Sequence, residues 1–262
     1  MAARRGLDRG PAAVEDGLYD IFSHIVRNRP APAPALPGGL SMKIILFGAS
    51  GMVGQAALRE CLADPRVEQV LAVGRSPLGQ RHPHLRECLV ASFLDFTPVA
   101  AELAGYDACL FCLGVSSLGL DEPSYQRITY DYTLAAAQVL VRLNPGLRFL
   151  YVSGVGTDSS ASGRIMWARV KGRTENALLA LPFRSAHMLR PAFIQPRHGI
   201  RSRTRVYRIL YTLLRPLVPL FRRLAPGMVL DSDQLGRAMV QVAAEGHPKA
   251  ILEVADLQAL GG

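Results

Sequence analysis

The apolar-rich run Lys43 to Phe47 leads straight into Gly48-Ala-Ser-Gly51-Met-Val-Gly54, and the residues that follow repeat apolar at helical spacing. A strand, a glycine turn and a helix in that order leave few ways to fold. Gly48 makes the tight turn, Gly51 lets backbone N–H groups approach a phosphate, and Gly54 lets the helix pack close to the sheet. An anion at the turn meets unpaired N–H groups and the positive end of the helix dipole. The segment therefore predicts a pyrophosphate cradle made by Gly48, Ser50, Gly51, Met52, Val53 and Gly54.

The rest of the chain repeats the alternation. A helix is expected over Val53–Ala63, with apolar Ala57, Leu58, Cys61 and Leu62. Strands follow at Gln69–Val73, Glu87–Val90, Asp107–Leu113, Arg148–Val152 and Ala186–Leu189. Long helices are expected over Pro123–Leu143 and Ile165–Leu181, then a closing helix Asp231–Ala244 and a strand Ala250–Val254. Apolar strands that do not alternate, separated by amphipathic helices, belong to a parallel sheet covered on both faces. The fold class predicted is α/β: a Rossmann-type doubly wound parallel sheet with a small C-terminal substrate lobe. A length of 262 residues, 49% hydrophobic, suits one such core.

Residues 1–41 read as a flexible N-terminal extension. A short amphipathic stretch, Glu15 to Arg29, is followed by a Pro/Ala/Gly-rich run from Ala31 to Gly39 that no core element would use. The dinucleotide-binding domain spans 42–262 and includes a basic substrate-lobe segment at about 192–230. The formal charge of +9 is concentrated around that segment. Between Asn176 and Leu230 there is no Asp or Glu, while ten arginines fall there. Arg197, His198, Arg201, Arg203 and Arg205 are dense enough to meet a phosphate or carboxylate. The apolar stripe flanked by Arg222 and Arg223 could instead lie on an anionic membrane surface through 201–223. Pro216 and Pro219 break that stripe, and it is too charged to span a bilayer. A solvated arginine face is the plain alternative. Nucleic acid is not expected, because no recognition helix or aromatic platform accompanies the charge. Cys109 and Cys112 fall on one strand run, where residues three apart point to opposite faces, so a redox pair is not expected. His82 and His84 have no third partner at ligand spacing, and no metal site is predicted. With no signal peptide, the expected location is cytoplasmic, with peripheral membrane contact open.

The end of the second strand selects the dinucleotide. An NAD(H) site usually carries an acid there, which holds the ribose 2′-hydroxyl. This chain reads Leu71-Ala-Val-Gly-Arg75-Ser76. Arg75 can pair with a 2′-phosphate and Ser76 can donate to it, so NADP(H) is expected over NAD(H). Asp95 is placed either to contact the adenine amino group or to cap its own turn. Gly114 would let the chain pass close to the cofactor.

From Met42 to about Ala244 the chain resembles the atypical short-chain dehydrogenase/reductase superfamily, in its NAD(P)-binding, epimerase-like branch. The resemblance rests on the Gly-Ala-Ser-Gly-Met-Val-Gly turn, Val73-Gly-Arg75, Tyr151-Val-Ser153-Gly154, and Arg190-Pro191. It implies a serine that orients a substrate oxygen, a tyrosine that transfers its proton, and a lysine four residues later that holds the nicotinamide ribose. Ser153 and Lys171 match the first and last. Trp167 stands where the tyrosine belongs. Indole N–H is a donor with no acid–base couple near neutrality, and loss of a placed proton donor lowers a rate about 10²–10⁴-fold. Tyr151 shares a strand face with Ser153 and is one substitute; Tyr125, Tyr130 and Tyr132 are others. The residues leave open an NADP(H)-dependent oxidoreductase on a small carbonyl/alcohol substrate, with an anionic substrate among the readings. They also leave open a weakly catalytic NADP(H)-binding regulator or scaffold, and a sugar-nucleotide-type epimerase or dehydratase. Nothing in the residues indicates an oligomeric state.

Overall fold

The computed structural model describes residues 41–198 and 228–262. The N-terminal extension up to residue 40, and positions 199–227 of the basic segment, lie outside the described residues.

Strands β1 (Met42–Phe47), β2 (Val67–Gly74), β3 (Leu85–Leu89), β4 (Ala108–Phe111), β5 (Arg148–Val152), β6 (Ser185–Leu189) and β9 (Ile251–Leu252) form one sheet in the order β3-β2-β1-β4-β5-β6-β9. Every pairing in it is parallel. A central strand buried on both faces needs apolar residues at every position. β1 meets this with Ile44, Ile45, Leu46 and Phe47, all fully buried. The even residues Ile44, Leu46, Leu110 and Leu150 face helices α1 (Met52–Ala63) and α5 (Ser232–Glu245), meeting Leu58, Cys61, Leu235 and Met239. Phe47, Phe111 and Phe149 line up on the other face, with centroids 5.0 and 5.9 Å apart along the row. Each such side chain contributes about 1.5–3 kcal/mol relative to leaving it in water. Cys109 belongs to the aromatic face, whereas Cys112 packs against the opposite cluster. The two thiols do not meet.

Two elements differ from the sequence reading. The single helix expected over Pro123–Leu143 is three pieces: α2 (Glu122–Gln126), a π-helical turn (Arg127–Asp131) and α3 (Tyr132–Leu143). The widened turn takes up an extra residue, and such bulges recur beside functional sites. The strand expected over Ala250–Val254 is only Ile251–Leu252, because Glu253 and Asp256 form a capping box that starts helix α6 (Val254–Gly261). The remaining helix of the domain, α4 (Met166–Leu179), runs between β5 and β6. A further parallel pair, β7 (Phe193–Gln195) with β8 (Val229–Asp231), was not foreseen. It pairs residues that precede position 199 with residues that follow position 227. Among the described residues no helix is long and apolar enough to cross a membrane.

Candidate active site

The strand order reverses between β1 and β4, and ligands of doubly wound sheets bind outside the carboxyl ends of the strands at that point. Here the loops open into a cleft of about 880 Å³. The glycine turn forms one wall. Gly48 has φ +76°, and a Cβ on it would stand 2.7 Å from backbone atoms of Cys112 and Leu113, the turn after β4. A Cβ on Gly54 would stand 2.1 Å from the Gly48 carbonyl oxygen. Both positions therefore admit only glycine with the chain as it lies. Helix α1 starts at Gly51 without a side-chain cap and has no acid in its first turn. Its positive end and spare N–H groups are left to an anion. Ser50, Gly51, Met52 and Val53 line the cleft, and Gly54 lies behind them as the packing point of the helix. The cradle fits a pyrophosphate.

Arg75 and Ser76 line the same cleft after β2. Arg75 is exposed and its guanidinium lies 5.5 Å from the centroid of Phe93, a platform the sequence reading missed. Gly114 lines the cleft after β4. Asp95 does not line it: its Oδ1 accepts the Thr97 amide hydrogen at 2.9 Å, just ahead of the 3-10 turn Thr97–Leu103. Among the charged lining residues described, Arg75 and Lys171 are cations and Glu87 an anion, a balance of one positive charge that favours an anionic ligand.

Ser153, Trp167 and Lys171 come together at the other end of the cleft. A close approach of helix α4 to the loop after β5 makes this possible. A Cβ on Gly172 would stand 1.7 Å from the Asp158 carbonyl oxygen, so only glycine lets the helix sit there. Asp158 in turn braces the loop by accepting the amide hydrogens of Ser160, Ser162 and Gly163. Lys171 Nζ donates to the Ser153 carbonyl at 2.9 Å and reaches the Val152 carbonyl at 3.4 Å. Burial pushes its pKa down to about 8, an effect that Glu175 one turn on partly offsets.

Ser153 is nearly buried, and its hydroxyl lies 2.9 Å from that of Thr157. Thr157 gives its single hydrogen to the Gly154 carbonyl at 2.8 Å. It therefore accepts from Ser153, and the Ser153 oxygen keeps its lone pairs for the cleft. Thr157 was not singled out in the sequence; its only signal is the spacing of four from Ser153. The six-membered ring of Trp167 packs on Gly156, whose φ of +82° turns the loop, with Cη2 3.5 Å from where a Cβ would be.

The substitute tyrosines separate clearly. Tyr151 is buried, does not line the cleft and lies 5.6 Å below Lys171 Nζ by its ring centroid. Burial pushes its phenol far above the usual range. Tyr130 stacks under the Arg173 guanidinium at 4.2 Å, and Tyr132 packs on Phe93 at 5.7 Å. Tyr125, just ahead of the π-helical turn, is the one of the four that lines the cleft.

Of the three described arginines of the acid-free segment, Arg190 and Arg197 are neutralised from elsewhere in the chain, whereas Arg184 is exposed and makes no ion pair among the described residues. Arg190 is buried against Glu175 and also reaches Glu253 and Ser159. Arg197 pairs with Asp231 at 3.0 Å and His198 with Asp233 at 2.9 Å. Sequence proximity showed missing acids; the fold supplies them.

No protein-family model matches the chain. Among curated proteins it is similar to Protein HTATIP2 of Rattus norvegicus, 26% identical over 154 residues. That match covers 58% of this chain and 62% of the rat protein, so the chain spans less than two thirds of that relative's length. Among solved structures it resembles the Bordetella bronchiseptica enzyme WbmF in complex with NAD+, with a TM-score of 0.58 at 16% identity, covering 85% of this chain and 78% of that one. It also resembles a short chain dehydrogenase family protein from Francisella tularensis subsp. tularensis SCHU S4, with a TM-score of 0.60 at 12% identity, covering 81% and 96%. These structures share its fold. The glycine turn and the strand order agree with that shared fold, and the Ser153–Lys171 pair keeps the chain's resemblance to the atypical, epimerase-like short-chain dehydrogenases/reductases.

Proposed function

We propose that the chain is an NADP(H)-dependent oxidoreductase acting on a carbonyl/alcohol pair of a small molecule. The observation that carries this reading is the convergence of Lys171 and Ser153 in the cleft opened by the glycine turn, with Lys171 Nζ on the Ser153 carbonyl at 2.9 Å. A nicotinamide dinucleotide, when bound, supplies or takes the hydride. Gly48, Ser50, Gly51, Met52 and Val53 hold its pyrophosphate, Gly54 lets their helix approach, and Arg75 with Ser76 favours the 2′-phosphate. Gly114 gives it room after β4. Lys171 binds the nicotinamide ribose. Ser153, whose own hydrogen goes to Thr157, accepts a hydrogen bond from a substrate hydroxyl. Trp167 donates its indole N–H to an oxygen but moves no proton. Tyr125, which alone of the four candidate phenols lines the cleft, exchanges that proton.

Titration of the full chain with NADPH and NADH, followed by nicotinamide fluorescence, tests the cofactor. Tighter NADPH binding is expected, and a preference for NADH would remove the Arg75 argument. Mixing the NADPH complex with a panel of ketones and aldehydes then tests turnover. Oxidation of bound NADPH that Tyr125→Phe slows about 10²-fold or more is the expected result.

One observation favours a second reading, a weakly catalytic NADP(H)-binding regulator or scaffold: an indole replaces the phenol at the position best aligned with Lys171. Under that reading bound NADPH survives every carbonyl offered. Epimerase or dehydratase chemistry, with the cofactor recycled in place, also calls for that phenol and ranks below both. An anionic substrate, and contact of 201–223 with an anionic membrane, rest on arginine density alone. Salt-sensitive binding to phosphatidylserine vesicles tests the latter.

A further inference from the structure

The motifs of the adenosine end come from β2 and its loop, yet a carboxylate reaches the same end from the neighbouring strand. Glu87 lies on β3 opposite Ala72 of β2 and lines the cleft together with Arg75 and Ser76. Its Oε2 accepts the Leu78 amide hydrogen at 2.9 Å, which ties β3 to the loop carrying Arg75 and Ser76. Oε1 makes no hydrogen bond among the described residues. Arg75 lies over Phe93 and forms no ion pair among them either. One cation and one carboxylate thus share the end of the cleft without cancelling each other by contact.

Their demands on a ribose are opposite. A guanidinium attracts a 2′-phosphate, whereas a carboxylate repels it and, being an acceptor only, takes a hydrogen bond from a free 2′-hydroxyl. We infer that Glu87 is a specificity-determining residue for the dinucleotide: it opposes the 2′-phosphate that Arg75 attracts, and narrows the preference for NADP(H) so that NAD(H) is also accepted. The inference rests on the dinucleotide reading above. It also gives an acid to a site whose second strand ends without one, the absence from which NADP(H) was expected.

Glu87→Gln tests it, because the amide oxygen still accepts from Leu78 and only the charge is removed. The full-length wild type and variant are titrated with NADPH and NADH, and with adenosine 2′,5′-bisphosphate against adenosine 5′-monophosphate, a pair differing only in the 2′-phosphate. In the variant the affinity ratio for the 2′-phosphorylated member is expected to rise about fivefold in both pairs. An unchanged ratio, or an equal shift for both members of a pair, overturns the inference and leaves Glu87 as a brace for the loop. Glu87→Ala, which also loses the Leu78 contact, is expected to weaken every adenosine ligand besides moving the ratio. If the wild type prefers NADH and Glu87→Gln still moves the ratio, the Arg75 reading fails and the Glu87 inference stands. If the wild type binds no dinucleotide, both fall.

Discussion

The two ends of the cleft are built from different material. The phosphate end is backbone: a left-handed glycine at Gly48, a helix start without side-chain cap or acid, and a glycine at 54 whose Cβ would stand 2.1 Å from a carbonyl oxygen. The reaction end is side chains brought from separate elements: Ser153 after β5, Trp167 and Lys171 from α4, and Tyr125 from α2. A backbone cradle tolerates almost no substitution at its glycines, whereas a side-chain constellation can lose a member and be refilled from another element. Trp167 in place of the expected phenol, with Tyr125 in the same cleft, fits that difference.

The comparison is broken most severely at Gly54. Gly54→Val must push α1 away from the turn, and a loss of about 3 kcal/mol or more in stability is expected together with loss of NADPH binding. Urea unfolding and fluorescence titration read both. Retained binding at wild-type affinity would show that the turn is less rigid than its contacts imply.

Lys171 gives the next largest effect and has a pH signature. Its folded pKa of about 8 lies below its ordinary value of 10.5. Between those two values the unfolded chain holds more protons than the folded one, so stability rises with pH there. Below pH 8 the burial penalty on the charged amine is fully present. Unfolding midpoints of the ligand-free protein should therefore favour pH 10 over pH 7.5 by an amount on the order of 3 kcal/mol from this group. Lys171→Met should lose that rise while also losing turnover; the same rise in the variant would assign it to other groups.

At the adenosine end Arg75→Ala should weaken NADPH about tenfold, or ~1.4 kcal/mol, and leave NADH nearly unchanged. A parallel loss for both would make Arg75 a general electrostatic contact. The smallest effect is expected from Thr157→Val. Removing the acceptor frees the Ser153 hydrogen, and a change of severalfold in kcat with KM for cofactor unaltered is expected, since the net worth of one such bond is about 1 kcal/mol.

Much of the fold was legible because it rests on local patterns. Six strands and most of the helices around them fall within a few residues of their expected limits, since unbroken apolar runs such as Ile44–Phe47 have no other stable environment. The π-helical turn, which packs against α4, was not legible, because apolar spacing does not distinguish it from the α-helix on either side. The β7–β8 pair escaped for a related reason: three-residue strands more than thirty positions apart carry no periodicity. At the site, Arg75, Ser76, Ser153 and Lys171 were found by order and spacing. Glu87, Phe93 and Thr157 were not, because each is tied to the site only by a contact across space, with Leu78, Arg75 and Ser153 respectively. Among the tyrosines, strand alternation favoured Tyr151, which does not line the cleft, and nothing favoured Tyr125, which does.

By itself, then, the chain's sequence determined the glycine turn, the doubly wound sheet and the residues that follow each strand. These depend on backbone conformation and burial, and both are written in residue type at short range. Only the tertiary structure decided which tyrosine lines the cleft, that Arg190 and Arg197 of the acid-free segment are paired, and that a carboxylate lines the cleft together with Arg75. Those are matters of distance between elements, and Coulomb and hydrogen-bond energies are settled by separation in space, whatever the separation along the chain.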